Sequence, residues 1–296
     1  MSPILPRALP GADVGLIVIG DEILCGKRQD RHFGHFVELL RARGLRLSYS
    51  LVLGDDPLRI TQALERVMGT GDIVFCTGGI GATPDDHTRT CAARALGVPL
   101  APHPEACALI AGRIAEMAQA GKWPADLNAE ENRRRLEMAA WPQGAHPIPN
   151  PYNRIPGFSV GDVHFLPGFP VMAWPMAEWV LEQYYRSHFA VGNWMERSVI
   201  VRGGMEAALA GWMDRIEREF PGVKVFSLPS VDHPQWGHHI ELGVKGAPEA
   251  VTTAFVAMLS YLQQAGIPDE CIVHLPCTAP QSMAYDATVC TNMVHE

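Results

Sequence analysis

Short apolar runs alternate with stretches of helical spacing through the first 185 residues. Val14-Gly15-Leu16-Ile17-Val18-Ile19 and Ile73-Val74-Phe75-Cys76 are nearly unbroken, as in strands buried on both faces of a parallel sheet. Between them Phe33, Phe36, Val37 and Leu40 stand at i, i+3, i+4 and i+7, with Gly44 as a stop, which predicts a helix. Residues 45–53 read as a strand. Asp55-Asp56-Pro57 opens a second helix, Asp56 at its N-cap and Pro57 in its first turn. Ile60, Leu64, Val67 and Met68 form the inner face of that helix. Residues 89–96 and 105–120 repeat the helical spacing, closed by Gly97 and Gly121. Residues 147–156 are proline-rich and irregular. Residues 163–166 and 171–185 give one more strand and helix, with Pro175 in the first turn or kinking it. Such alternation predicts an α/β domain with a mostly parallel sheet.

Beyond about Ser187 the order changes to strand (197–202), amphipathic helix (205–220), strands (223–228 and 238–244) and helix (248–264). This βαββα order predicts a small α+β domain, one sheet with both helices on one face. The expected boundaries are 1–190 for the first domain, 195–266 for the second and 267–296 for an irregular tail. That tail reads either as a strap across a partner subunit or as poorly ordered.

Composition narrows the function classes. With 296 residues, 47% of them hydrophobic, there is material for two cores. A formal charge of −8 leaves no basic patch for nucleic acid, and Arg133-Arg134-Arg135 reads as a solvated helix face. No secretory signal or membrane-spanning run is visible, so a cytoplasmic location is expected. Seven cysteines without a CxxC pair argue for reduced thiols. Asp232, His233, His238 and His239 lack i, i+4 helical spacing and have Pro234 among them, so a solvated loop explains them better than a metal site.

Chemistry concentrates just past three strand ends: Gly20-Asp21-Glu22, Gly54-Asp55-Asp56, and Thr77-Gly78-Gly79-Ile80-Gly81-Ala82-Thr83-Pro84-Asp85-Asp86-His87-Thr88. Ligands of open α/β sheets bind beyond the carboxyl ends of the strands. A glycine turn between strand and helix turns backbone N–H groups toward a phosphate. The neighbouring carboxylates would repel a bare phosphate and fit a divalent cation set between them and it.

These residues resemble the MoaB/Mog molybdopterin-binding fold and, more narrowly, the N-terminal domain of the competence/damage-inducible protein A (CinA) family. Asn132-Arg133, Pro142-x-Gly144-Ala145, Asn150-Pro151…Pro156-Gly157-Phe158 and Leu166-Pro167-Gly168-x-Pro170 extend the likeness over roughly residues 13–185. The resemblance implies a three-layer α/β/α domain with a mostly parallel sheet, followed by a small α+β domain. For the narrower group it implies divalent-metal hydrolysis of a nucleotide pyrophosphate bond, in a substrate such as ADP-ribose or FAD. For the broader fold it implies molybdopterin binding. No part of the sequence matches the C-terminal deamidase domain of the full CinA architecture, so amide hydrolysis is not expected.

The expected site therefore takes Asp85, Asp86 and Asp21 as catalytic. Asp21, Asp55, Asp56 and Asp86 would hold Mg²⁺, Mn²⁺ or Co²⁺. Gly20, Thr77, Gly78, Gly79, Gly81, Thr83, Thr88, Asn132 and Gly168 would contact the nucleotide or pterin. The chain departs from the family pattern at Asp30-Arg31-His32, at Ala82, at Asn153-Arg154 and at Met172, which stands where the family has an acid. The departures at Met172 and Asp30-Arg31-His32 support the alternative, a molybdopterin-binding protein without hydrolytic turnover; an inactive structural partner in an oligomer is a third. Assembly as a homo-oligomer, a dimer by preference, is expected from the resemblance and from the bulk of Trp174, Trp179, Trp194 and Trp212.

Overall fold

The structure, a computed structural model, describes residues 3–9, 11–190 and 194–277. It divides into two compact units, Met1–Leu40 with Leu45–Phe189, and Arg41–Gly44 with the chain from Ala190.

The first unit runs β1 (Val14–Ile19), α1 (Asp21–Leu24), α2 (His32–Arg41), β2 (Tyr49–Leu53), α3 (Pro57–Met68), β3 (Ile73–Thr77), α4 (Thr88–Leu96), β4 (Leu100–Pro102) and α5 (Pro104–Gln119). It continues with α6 (Glu130–Glu137), β5 (Ala140–Pro142), β6 (His146–Ile148), β7 (Gly157–Val160), β8 (Val163–Leu166) and α7 (Pro170–Tyr184). Six strands form one sheet in the order β2-β1-β3-β8-β7-β6. The first four are mutually parallel, and β7 and β6 are antiparallel to their neighbours.

Every residue of β1 and β3 is buried, because side chains alternate between two covered faces. Ile17, Val74 and Cys76 join Ile60 and Leu64 of α3, Cys91 of α4 and Ile110 of α5 in one core. Leu16, Val18 and Phe75 join Phe36 and Leu40 of α2 and Met176 and Val180 of α7 in the other. That is a three-layer α/β/α arrangement. Phe33 and Val37, expected on the inner face of α2, are exposed; the stripe that packs is Phe36, Leu39 and Leu40. The segment expected to be irregular overlaps β6, a three-residue edge strand with Pro147 at its centre, and is followed directly by β7. Proline is confined to such edges because it has no ladder donor to give.

The second unit holds β9 (Met195–Arg202), α8 (Glu206–Glu219), β10 (Lys224–His233), β11 (Gly237–Gly246), α9 (Pro248–Gln264) and β12 (Ile272–His274). Its sheet is antiparallel, β10-β11-β9-β12. Val199, Val201, Leu242 and Val244 pack with Leu209 and Ile216 of α8 and with Val251 and Phe255 of α9. The intervening residues turn to the other face, where Ser198 donates to Glu241 at 2.7 Å. The tail expected from residue 267 is regular in its described part, since β12 adds to the edge of β9; the rest of that expectation lies outside the described residues. Among the four tryptophans that suggested assembly, Trp174 and Trp179 pack on the second core of the first unit and Trp212 on the core of the second. No helix among the described residues is long and apolar enough to cross a membrane.

Candidate functional site

The C-terminal ends of β1, β2, β3 and β8 meet at one edge of the parallel sheet. There the chain must leave the ladder, and each connection is fastened to the next. Gly20 donates its N–H to Leu53 O at 2.9 Å. Asp21 N–H donates to Asp55 Oδ2 at 2.9 Å and Asp55 N–H returns a bond to Asp21 Oδ1 at 3.2 Å. Gly78 N–H donates to Leu166 O at 3.0 Å, tying β3 to the end of β8. Gly78 has φ +98°, and a Cβ there would collide with the Ile19 carbonyl, so only glycine fits this crossing of two strand ends.

The glycine turn after β3 is held from behind by the first turn of α4. Thr88 Oγ1 donates to Gly78 O at 3.0 Å and Thr88 N–H to Gly79 O at 3.0 Å. Arg89 Nη1 donates to both Ile80 O and Gly81 O. Four successive carbonyls thus point at α4. Among the described residues none of the N–H groups of Gly79, Ile80, Gly81 and Ala82 has a protein acceptor. Consecutive unpartnered N–H groups of this kind form a concave anion-binding nest.

The nest forms one side of a cleft of about 760 Å³. Gly20, Gly78, Gly79, Gly81, Thr83 and Gly168 line it, as do the carboxylates Glu22, Asp55, Asp85 and Asp86. Lys27 and Arg28 also face it, and Met138, Trp141, Ile155, Phe169 and Met172 supply apolar surface. Burial, then the neighbouring carboxylates Asp21, Glu22 and Asp85, push the Asp55 carboxyl above its ordinary range. Asp85 lies below its ordinary range because the Thr83 hydroxyl and its own backbone N–H stabilise the anion.

Several expected ligand contacts have structural duties instead. Thr77 is fully buried and donates to Ile17 O at 3.5 Å, and Thr88 braces the turn from outside the cleft. Asn132 is fully buried: its amide nitrogen donates to Pro124 O and Asp126 O at 2.8 Å, and its oxygen accepts from Arg135 at 2.7 Å. Asp56 caps α3, accepting from the N–H groups of Leu58 and Arg59. Asp86 precedes His87, the N-cap of α4, and its Oδ2 accepts from Thr83 N–H at 2.8 Å and from the Thr83 hydroxyl. Asp21 is turned to the backbone of Asp55. Met172, standing where the family has an acid, lines the cleft with its sulfur 3.2 Å from the Asn153 amide nitrogen.

No group of three or more His, Cys, Asp or Glu side chains among the described residues is disposed to hold a metal ion, and this includes Asp232, His233, His238 and His239. The donors do fit a cation bound through one or two carboxylates and the ligand's own phosphates, a coordination Mg²⁺ accepts. Glu22, Asp55 and Asp85 are the candidates among the residues lining the cleft.

A family model described as "Probable molybdopterin binding domain" matches residues 15–187. A protein from Pyrobaculum calidifontis is 30% identical over 242 residues, 79% of this chain and 88% of its own length. A CinA-like protein from Geobacter sp. (strain M21) is 35% identical over 201 residues, 67% of this chain and 46% of its own length. This chain therefore spans about half of that CinA-like relative. The crystal structure of the protein CinA, with unknown function, from Thermoplasma acidophilum shares 27% identity with a TM-score of 0.49, covering 58% of this chain and 98% of that one.

Proposed function

The chain belongs to the molybdopterin-binding domain family, and on that premise we propose that its cleft binds a phosphate-bearing pterin or nucleotide. The carrying observation is the run of four N–H groups, Gly79 to Ala82, left without protein acceptors on a cleft that Lys27 and Arg28 also line. Backbone dipoles and two cations together favour a phosphate. Ile155 and Phe169 offer apolar surface on which a planar ring can lie.

Hydrolysis of a pyrophosphate bond is the second reading. What favours it is the placing of Glu22, Asp55 and Asp85 in the same cleft as the nest. A cation brought with the ligand would polarise a phosphoryl oxygen and acidify a water. The chain's own part is to anchor the phosphates on the nest and to set the Glu22, Asp55 and Asp85 carboxylates beside them in the cleft.

A thermal-shift screen with ADP-ribose, FAD, ATP and a pterin, each with and without Mg²⁺, Mn²⁺ or Co²⁺, tests both readings. A ligand at 100 times its Kd adds about 2.7 kcal/mol of stability. The absence of any shift would remove the binding reading. A shift without product from ADP-ribose or FAD under any cation would leave binding alone.

A further inference from the structure

The loop between β6 and β7 carries two asparagines, and main-chain partners settle which end of each amide is which. Asn150 is buried; its Nδ2 donates to Ile155 O at 3.0 Å and its Oδ1 accepts from Tyr152 N–H at 3.0 Å. The same Nδ2 donates to Asn153 Oδ1 at 2.8 Å, and Ile155 N–H donates to that oxygen at 2.9 Å. Both lone pairs of Asn153 Oδ1 are therefore spent inside the loop. Among the described residues Asn153 Nδ2 has one partner, the Met172 sulfur at 3.2 Å. A thioether is a weak acceptor, so this donor is under-used at a place where Asn153 and Met172 both line the cleft. The loop is closed behind it. Arg154 N–H donates to Asn150 O at 3.0 Å, and Arg154 sits at φ +64° with its guanidinium on Glu116 of α5. A side chain with a β-carbon rarely takes that backbone region; the turn bond and the ion pair hold it there.

We infer that Asn153 is the residue through which the cleft reads the ring of its ligand, and that it reads a hydrogen-bond acceptor. With its oxygen committed inward, Asn153 offers only N–H. The contact between Asn153 and Met172 also gathers the apolar surface. Ile155 is bonded to the Asn153 amide, and Phe169 O takes the Met172 N–H at 3.0 Å. A ring lying on Ile155 and Phe169 brings its edge to Asn153 Nδ2. An oxo group on that edge replaces the sulfur as a stronger acceptor, whereas an exocyclic amino group sets donor against donor. The ligand class narrows to rings with an oxo edge, a 4-oxopteridine or a 6-oxopurine, in preference to adenine. The inference rests on the reading of the cleft as a site for a phosphate-bearing ring, and adds a discrimination that the backbone of the glycine turn does not supply.

Calorimetric titration of the full chain with inosine diphosphate and adenosine diphosphate tests this, since the two carry the same phosphates and sugar and differ at the purine 6-position and the adjoining N1. The wild type should bind inosine diphosphate about tenfold more tightly, the scale on which a hydrogen-bonding site rejects an unmatched group. Asn153→Asp keeps an oxygen for Asn150 and Ile155 and puts an acceptor where the donor was. Its added charge weakens both nucleotides alike, so the ratio of affinities isolates the ring, and the preference should disappear or reverse. Met172→Leu removes the sulfur and leaves Asn153 in place, and the preference should stay at about tenfold or rise. Equal binding of the two nucleotides by the wild type overturns the role of Asn153 and leaves the phosphate reading of the cleft standing. A preference that survives in Asn153→Asp, or one that is lost in Met172→Leu, overturns it in the same way. If the wild type binds neither nucleotide, the cleft reading falls and takes the role of Asn153 with it.

Discussion

The two sheets of this molecule solve the same problem in opposite ways. The parallel sheet is covered on both faces, so adjacent residues such as Leu16 and Ile17 enter different cores and both are fully buried. The antiparallel sheet keeps its core on one face, where Val199 and Leu242 pack under α8 and α9, and sets Ser198 and Glu241 on the other. A doubly covered sheet has no side-chain face left for a ligand. Chemistry is confined to its strand ends, and there the cleft is found.

The sharpest way to break this comparison is to truncate neighbours. In the first unit Leu16→Ala and Ile17→Ala should each cost about 2–5 kcal/mol, because each opens a cavity in a closed core. In the second, Leu242→Ala should cost a similar amount and its neighbour Glu241→Ala only about 1 kcal/mol, the loss of one partner for Ser198. Urea unfolding read from the amides of β1 and β3, or of β9 and β11, measures each pair. Equal costs at positions 241 and 242 would end the distinction.

Acid is the next probe. His164 is fully buried between Ser159, 2.7 Å from Nδ1, and the Tyr185 hydroxyl, 2.7 Å from Nε2. That hydroxyl donates onward to Asp162 at 2.9 Å. Burial lowers the imidazole to about 3 from its ordinary 6.5, and burial lowers His32 and His146 as well. The folded state therefore binds fewer protons than the unfolded chain. The stabilisation is complete above pH 6.5 and is lost as pH falls toward 3, by about 2 kcal/mol at pH 5 for His164 alone. Urea midpoints for the first unit at pH 7.5 and pH 5 should differ accordingly, and His164→Gln should flatten the slope. A midpoint unchanged between those two values would mean that the histidine is not held neutral.

The smallest effect concerns a cap. Asp56→Ala should cost about 1 kcal/mol through the start of α3 and leave phosphate binding as it was, since that carboxylate faces Leu58 and Arg59. A large loss of ligand affinity in this variant would restore Asp56 to the site.

What the sequence revealed follows from the same contrast. β1, α3 and β3 were legible because burial on both sides writes unbroken apolar runs, and because Asp56-Pro57 marks a helix start without any tertiary help. β6 and β7 were missed: strands of three and four residues, the first with Pro147 at its centre, carry no periodicity to read. In the site, the glycines and the acids past the strand ends announced themselves by type. Lys27 and Arg28 did not, since two cations in a polar loop look like ordinary surface until the fold brings them to the cleft. Arg89 was equally silent, as its target is a row of backbone carbonyls and backbone has no letter. Asn132 misled for the converse reason, an amide looking the same whether it meets a ligand or the loop before α6.

The proline of β6 has a consequence for the margin of the sheet. Pro147 stands opposite Phe158 in a ladder whose bonds belong to His146 and Ile148. Its ring nitrogen therefore faces outward, where any other residue would present an N–H. A strand drifting up to that border from another molecule finds a template three residues long with its central donor missing. The last strand of the sheet is thus also a terminus for growth, which protects an otherwise extendable β-structure from recruiting its neighbours.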